Sequence, residues 1–268
     1  MAAAIRPLAG IGRVFEHRFV IYRRTFRASL FSSFLTPIMF LAAMGLGLGG
    51  YVDQSGDAAL GGVSYLAFLA PGLLVATCMQ AAAFEATFPI MAGLVWSRVY
   101  HAMFATPITP RDIALGNIVW FAARLLLIAT VFTVVIVLFG AAMSPLVILA
   151  IPVAALTGLG FATPIAAFAA TQRTPERFAA IFRFGIMPLF LFSGTFYPIE
   201  SLPPFVQPLA WLTPLYHGVV LARGLSLGTI GQEPTMEMAV VHLAILVAFV
   251  VVGAVFTVRT VTAKLLRG

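Results

Sequence analysis

Apolar residues run through this chain in long blocks that charge interrupts mainly at their ends. The stretches 28–52, 58–84 and 238–258 contain no Asp, Glu, Lys or Arg, and 125–172 continues for 48 residues without one. About 20 residues of helix cross a bilayer core, so the first three hold one span each and the fourth most of two. A shorter uncharged stretch, 184–199, extends a helix begun before it. The pattern predicts six spans, at about 29–50, 63–88, 110–140, 146–170, 175–197 and 238–258. A different pattern precedes them. Leu8, Ile11, Phe15, Phe19, Tyr22 and Phe26 recur at intervals of three and four, with Arg6, Arg13, His17 and Arg24 opposite. That spacing predicts an amphipathic helix over 5–27, lying in the membrane interface with its basic side toward anionic headgroups.

Between the fifth and sixth spans the pattern breaks. The helix pauses at Ser193-Gly194 and Pro198, and Pro203, Pro204, Pro208 and Pro214 then punctuate a stretch, 201–222, that carries no charge. Proline costs about 3 kcal/mol inside a helix, so this is not one continuous span. Irregular backbone at membrane depth is tolerated only where protein buries it or where it lines a cavity. We therefore expect a re-entrant helix pair at the outer face, over about 198–225. Phe196, Tyr197, Trp211, Tyr216 and His217 would place their rings at the outer interface. The expected fold class is an all-α integral membrane protein.

Composition agrees: 61% of residues are hydrophobic and 9% charged, against about 25% charged in soluble domains. The net charge of +7 alone would admit nucleic acid. Its placement points to a membrane surface instead: on the predicted topology 14 of 16 basic residues fall on one side, all but Arg124 and Arg223. The positive-inside rule makes that side the cytoplasm and puts both termini there. A single cysteine, Cys78, excludes an intrachain disulfide and a cysteine metal site. No cleavable signal peptide is recognisable at the arginine-rich start.

Two cytoplasmic connections carry the candidate chemistry. In 89–112 a short helix is expected at about 91–105, bearing Val95, Trp96, Val99 and Met103 together with Arg98, Tyr100 and His101; an exposed helix of that kind needs a partner surface. Thr106-Pro107 ends it, and Thr109, Pro110 and Asp112 have the order of an N-cap, first position and first-turn acid for the third span. The second connection, 171–177, contributes Arg173 and Arg177. Within the membrane, Glu85 near the inner end of span two and Arg124 inside span three are each costly alone. Their pairing would fix helix register; a part in substrate passage or gating is the alternative.

Catalytic motifs are missing. The only lysine, Lys264, stands outside any glycine-rich loop, so the chain has no P-loop, and neither HExxH nor GxSxG occurs. An ATP-driven transporter built on this chain takes its ATP and Mg from a separate subunit. Six spans make half of a usual exporter pathway, which implies a homodimer or a heterodimer with a sister permease.

The run Leu191-Phe-Ser-Gly-Thr-Phe-Tyr-Pro198, then Leu202-Pro203, Leu212-Thr-Pro-Leu-Tyr-His217 and Ala222-Arg223 resembles the signature of the type-2 ABC exporter permeases, in the NodJ and daunorubicin-exporter-like branch. Phe84-Glu85 and a basic residue four after Trp120 resemble it as well. The resemblance implies an export subunit of a bacterial cytoplasmic membrane, moving a glycolipid, lipo-oligosaccharide, lipid or hydrophobic drug. It implies a coupling helix, with Trp96, Arg98, Tyr100, His101, Arg173 and Arg177, that docks in a groove of the nucleotide-binding subunit. It also implies an outer gate formed by Phe196, Tyr197, Pro198, Pro203, Trp211, Pro214, Tyr216 and His217. A membrane-embedded lipid-modifying enzyme would need a polar cluster, for which His217, Glu200 and Arg223 are the outer candidates. An ion-driven transporter would need midplane carboxylates, and only Glu85 approaches that.

Overall fold

The computed structural model describes residues 7–48 and 62–267. Asp53, Asp57 and the end of the first predicted span lie outside the described residues. The rest is helical, with no strand among the described residues.

The first helix, α1, runs Pro7–Leu41 and continues as a π-helical segment, Ala42–Leu48. The expected boundary between an in-plane helix and a span near residue 28 is therefore not marked by any break. The reason is local: no glycine or proline stands between Arg13 and Thr36, and arginine is a good helix former. Its first half packs along the helix that bears residues 112–124. Gly10 sits against Asp112, Gly116 against Val14, Phe15 and Tyr22 against Trp120, and Tyr22 against Arg124. The numbers rise together, so α1 lies along the start of the helix bearing residues 112–124 for about 18 Å, at 1.5 Å per residue. A perpendicular helix would touch it over about one turn.

Helix α2, Tyr65–Met91, begins at the Ser64 cap and ends in a π turn, Ala92–Trp96. The six-residue α3, Val99–Phe104, follows, then α4, Pro110–Leu138. A 3-10 turn at Pro145–Leu149 leads into α5, Ala150–Thr171. The next segment is short and irregular: α6, Glu176–Ala180, a π segment Ile181–Ile186, and α7, Met187–Phe192. After a bend come α8, Gln207–Trp211, and α9, Pro214–Leu227, and last α10, Met236–Leu266. Among the described residues four stretches are long and apolar enough to cross a membrane: Tyr65–Trp96, Pro110–Leu138, Pro145–Thr171 and Met236–Leu266.

Helix α5 is the axis of the bundle, packed on α2, α4, α9 and α10. Its sequence explains why. Without a hydrophobic drive between helices in lipid, close van der Waals approach decides packing, and small residues permit it. At Gly158 an added Cβ would fall 2.9 Å from Leu125 Cδ1 and 3.1 Å from the Cys78 carbonyl. On its other side Gly253 of α10 closes on Thr163, and the Thr257 hydroxyl donates to the Thr163 carbonyl at 2.6 Å. The ends of α2, α5 and α10 and the start of α4 meet at one end of the bundle, beside α3. The prolines of α8 and α9 lie at the far end.

Candidate functional site

The α3 end is built from a tight reversal. Helix α2 widens into its π turn, the Ser97 hydroxyl donates to the Ala92 carbonyl at 2.8 Å, and Arg98 takes φ 52° and ψ 22°. That left-handed conformation costs a non-glycine residue roughly 1–2 kcal/mol. The reversal folds α3 back so that the Tyr100 ring covers Gly93, where a Cβ would lie 2.3 Å from the ring. Thr106-Pro107 follow, and the Thr109–Asp112 capping box starts α4, with both reciprocal hydrogen bonds formed.

The four predicted coupling residues of this hairpin therefore differ in exposure. Trp96 is 56% exposed and Arg98 is exposed. His101 is half-buried. Tyr100, expected at a partner surface, is instead 3% exposed. Its hydroxyl donates to Asn117 Oδ1 of α4 at 2.9 Å. Arg18 Nε of α1 donates to the same oxygen at 2.9 Å, and the Asn117 amide nitrogen donates to the Ile113 carbonyl. One buried side chain thus joins α3, α4 and α1.

One turn and two turns further along the same face of α4 stand Trp120 and Arg124. Arg124, 9% exposed, lies with Nε 3.6 Å from Glu85 Oε1 of α2, a charge contact longer than a hydrogen bond. Its Nη1 donates to the Tyr22 hydroxyl at 2.7 Å, and its guanidinium lies over the Tyr22 ring at 4.3 Å. Trp120 Nε1 donates to the other carboxylate oxygen of Glu85 at 3.3 Å. Glu85 and Arg124 are thus at equal depth, and Tyr22 and Trp120 complete a four-residue cluster across α1, α2 and α4. Sequence reasoning missed Asn117, Arg18 and Tyr22 as partners. The i, i+3, i+7 spacing of Asn117, Trp120 and Arg124 was the available signal for a polar face on α4.

Beside the hairpin is a cavity of about 600 Å³, walled by Leu94, Val95, Arg98, His101, Arg173 and Lys264 among others. It brings Arg98, His101 and Arg173 together from two connections. Arg177 stays outside its walls, exposed, with Nη1 donating to Gln172 Oε1 at 3.2 Å.

At the far end, Gly194 (φ 76°) turns the chain after α7. Arg223 of α9 holds the turn: Nη2 donates to the Gly194 carbonyl at 2.8 Å, Nε to the Phe68 carbonyl of α2 at 3.1 Å, and the guanidinium lies 3.7 Å over the Phe68 ring. Gly72 makes room, since a Cβ there would fall 3.0 Å from the Thr195 carbonyl. Phe196 lies tilted against Phe40 and edge-on to Phe190, and Tyr197 and Tyr216 pack on Ile199, Leu202 and Ala210. Pro198 starts a 3-10 turn, the Pro203 carbonyl accepts from Val206, and Pro214 opens α9. Trp211 is 47% exposed and Phe205 79%, leaving the α8 region apolar and open. His217 Nε2 meets the Trp211 carbonyl at 2.9 Å and its Nδ1 meets His242 Nδ1 at 2.6 Å. A carbonyl only accepts, so Nε2 of His217 carries the proton; in the neutral ring Nδ1 then accepts from His242. His242 and Arg223 were not among the expected gate residues. Arg223 had one signal: an arginine closing an uncharged stretch must find acceptors.

An apolar helical bundle with irregular helices at one end and a short hairpin at the other, four of whose described stretches are long and apolar enough to cross a membrane, has the architecture of an integral membrane protein. The sequence profile of the ABC-2 type transporters matches residues 14–227, and the chain belongs to that family. It is similar to nodulation protein J of Rhizobium leguminosarum bv. viciae, 28% identical over the full length of both chains. It is also similar to nodulation protein J of Neorhizobium galegae, at 31% over 89% of each. A third relative, from Rhizobium leguminosarum bv. trifolii, is 30% identical over 95% of this chain and 93% of its own.

Proposed function

We propose that this permease is powered by a separate ATPase subunit that docks at α3, and that it exports an amphipathic molecule of the lipo-oligosaccharide or glycolipid class. In this reading both termini are cytoplasmic, α1 with its π extension and the α6–α7 segment supply the first and fifth of six spans, and α8 and α9 form the outer re-entrant pair. A second permease, identical or a sister chain, completes the pathway. The membrane is the bacterial inner membrane, and the chain itself holds no cofactor: ATP and Mg belong to the ATPase.

The observation that supports this best is the Tyr100–Asn117 bond beside the exposed Trp96. Force applied at Trp96 and Arg98 reaches α4 through Asn117 and α1 through Arg18, so the hairpin does not simply yield. The Glu85–Arg124 contact adds α2 to the same moving body. At its other end α2 carries the Phe68 carbonyl held by Arg223, which also holds the Gly194 turn. A tilt of α2 therefore pulls on the outer segment, where Phe196, Tyr197, Trp211, Tyr216 and His217 would close the exit. The NodJ-like run from Leu191 to Arg223 supports a cargo of the lipo-oligosaccharide or glycolipid class. Affinity capture of tagged protein from its native membrane tests this reading: a P-loop ATPase should accompany it, and substitution of Trp96 or Arg98 should lower the activity of the captured ATPase.

A further inference from the structure

Two histidines tie the irregular end of the bundle to its last helix. The contact between His217 Nδ1 and His242 Nδ1, 2.6 Å long, is the only side-chain hydrogen bond between α9 and α10 among the described residues. His217 also reaches α8, through Nε2 and the Trp211 carbonyl, so one side chain joins α8, α9 and α10. His217 is 6% exposed and His242 is half-buried. Tyr216 closes the pair edge-on, its ring centroid 5.4 Å from that of His217 and 5.9 Å from that of His242. Around the pair the two helices meet through an apolar cluster of Leu221, Ala239 and Leu246.

This bond counts protons. Nε2 of His217 keeps its hydrogen for the Trp211 carbonyl, so in the neutral pair the Nδ1–H of His242 donates to the bare Nδ1 of His217. Nε2 of His242 has no partner among the described residues. A first added proton binds there and leaves the bond intact, now with a charged donor. A second has only Nδ1 of His217 to bind. Both facing nitrogens would then carry hydrogen across a gap that admits one, and two like charges would lie with their ring centroids 4.9 Å apart. The joined pair therefore binds one proton fewer than two separated histidines.

We infer that His217 and His242 form a proton-operated latch, which holds α9 to α10 near neutral pH and releases it when the outer side is acid. Its place on the outer side rests on the orientation proposed above. A state that binds one proton fewer is favoured as pH rises and lost as pH falls. Below the ordinary histidine pKa of about 6.5 the opening constant should therefore rise about tenfold per pH unit. The surroundings supply no other group for that range. Residues 125–172, which include α5 and the outer half of α4, carry no ionisable side chain, and neither does α8. Glu200, Glu233 and Glu237 are carboxylates, and Tyr216 and Tyr65 at the start of α2 are phenols, classes that ordinarily titrate near about 4 and about 10. Arg223 of α9 is turned to α2 and the Gly194 turn. On release α8 and the first turn of α9 leave α10 while Arg223 keeps that turn, so acid loosens the outer end without unfolding it.

Amide hydrogen exchange of the full chain in neutral detergent tests the latch at about pH 7.5 and about pH 5, with rates corrected for the pH dependence of unprotected amides. Residues 207–218 should open at least about tenfold more at the lower pH, while α5 keeps its protection. His242→Asn sets an amide where Nδ1 stood. Its nitrogen donates to neutral His217 and its oxygen accepts from the protonated ring, so the response to pH should fall below about threefold. His242→Phe removes the donor, and residues 207–218 should then exchange several-fold faster than wild type already at about pH 7.5. A wild-type chain that opens no more at the lower pH overturns the latch, as does a His242→Asn variant that responds as strongly as wild type. Equal loosening of α5 makes the change general acid unfolding and overturns it too, and so does a His242→Phe variant as protected as wild type. Neither ATPase nor cargo is present, so a failure here leaves the proposed transport function standing, and a capture without ATPase leaves the latch standing.

Discussion

The Tyr100 hydroxyl and Asn117 Oδ1, 2.9 Å apart and buried, form the only side-chain hydrogen bond from α3 to another helix among the described residues. Asn117 also accepts from Arg18, so the two sides of the bond are not equivalent. Tyr100→Phe removes one donor and leaves Asn117 satisfied, which should cost about 1 kcal/mol. Asn117→Ala strands two donors and should cost about 1–3 kcal/mol. Thermal unfolding of the two variants gives this order. The functional expectation is sharper: Tyr100→Phe still captures the ATPase, but transport per ATP hydrolysed falls in reconstituted vesicles.

Gly93 tests the same connection without touching a polar atom. A methyl group there would lie 2.3 Å from the Tyr100 ring, so Gly93→Ala must push the ring off α2 and lift its hydroxyl from Asn117. The transport defect should match that of Tyr100→Phe. Combining the two should add little, because both break one link. Additive defects in vesicle transport would mean that Gly93 and Tyr100 act separately.

Glu85 and Arg124 lie 3.6 Å apart, with side-chain exposures of 23% and 9%. Removing one partner of a buried pair costs roughly 3–5 kcal/mol, whereas replacing both is often near neutral. Glu85→Gln should therefore destabilise the chain by an amount toward the lower end of that range, since the carboxylate is partly open. Arg124→Met in the same chain should recover most of the loss. Thermal unfolding in detergent across the double-mutant cycle measures it, and a zero coupling energy would contradict the pairing.

Arg223 donates to three carbonyls, Phe68 of α2 and, in the turn after α7, Gly194 and at 3.4 Å Thr195. Each charge-assisted bond contributes about 1.5–3 kcal/mol, so Arg223→Met should lower stability by roughly 3 kcal/mol. The loss should be local. Hydrogen exchange of the amides around Gly194 should quicken several-fold while α5 keeps its protection.

Local signals made much of this legible in the sequence. The Thr109-Pro110 start of α4 with Asp112 in its first turn, the stop at Ser193-Gly194, and the apolar stretches that became α2, α4, α5 and α10 all depend on neighbours within a few residues. What was not legible depends on which helix comes to lie beside which. Tyr100 reads as one more ring on an exposed hairpin until Gly93 admits it inward. His242 is a lone polar residue in an apolar run until α9 brings His217 to 2.6 Å. Helix α1 was divided at the change from basic to apolar composition, yet arginine does not break a helix, and nothing else between Arg13 and Thr36 does.

The central claim is that a separate ATPase drives this permease through the hairpin at Trp96. Capture of the tagged chain from its native membrane under gentle detergent, with ATPase activity measured on the captured material, tests it most directly. The account predicts a P-loop subunit in the wild-type capture, and ATPase activity that falls when Trp96 is changed to Ala. Recovery of the chain with no ATPase, or activity indifferent to Trp96 and Arg98, would contradict it.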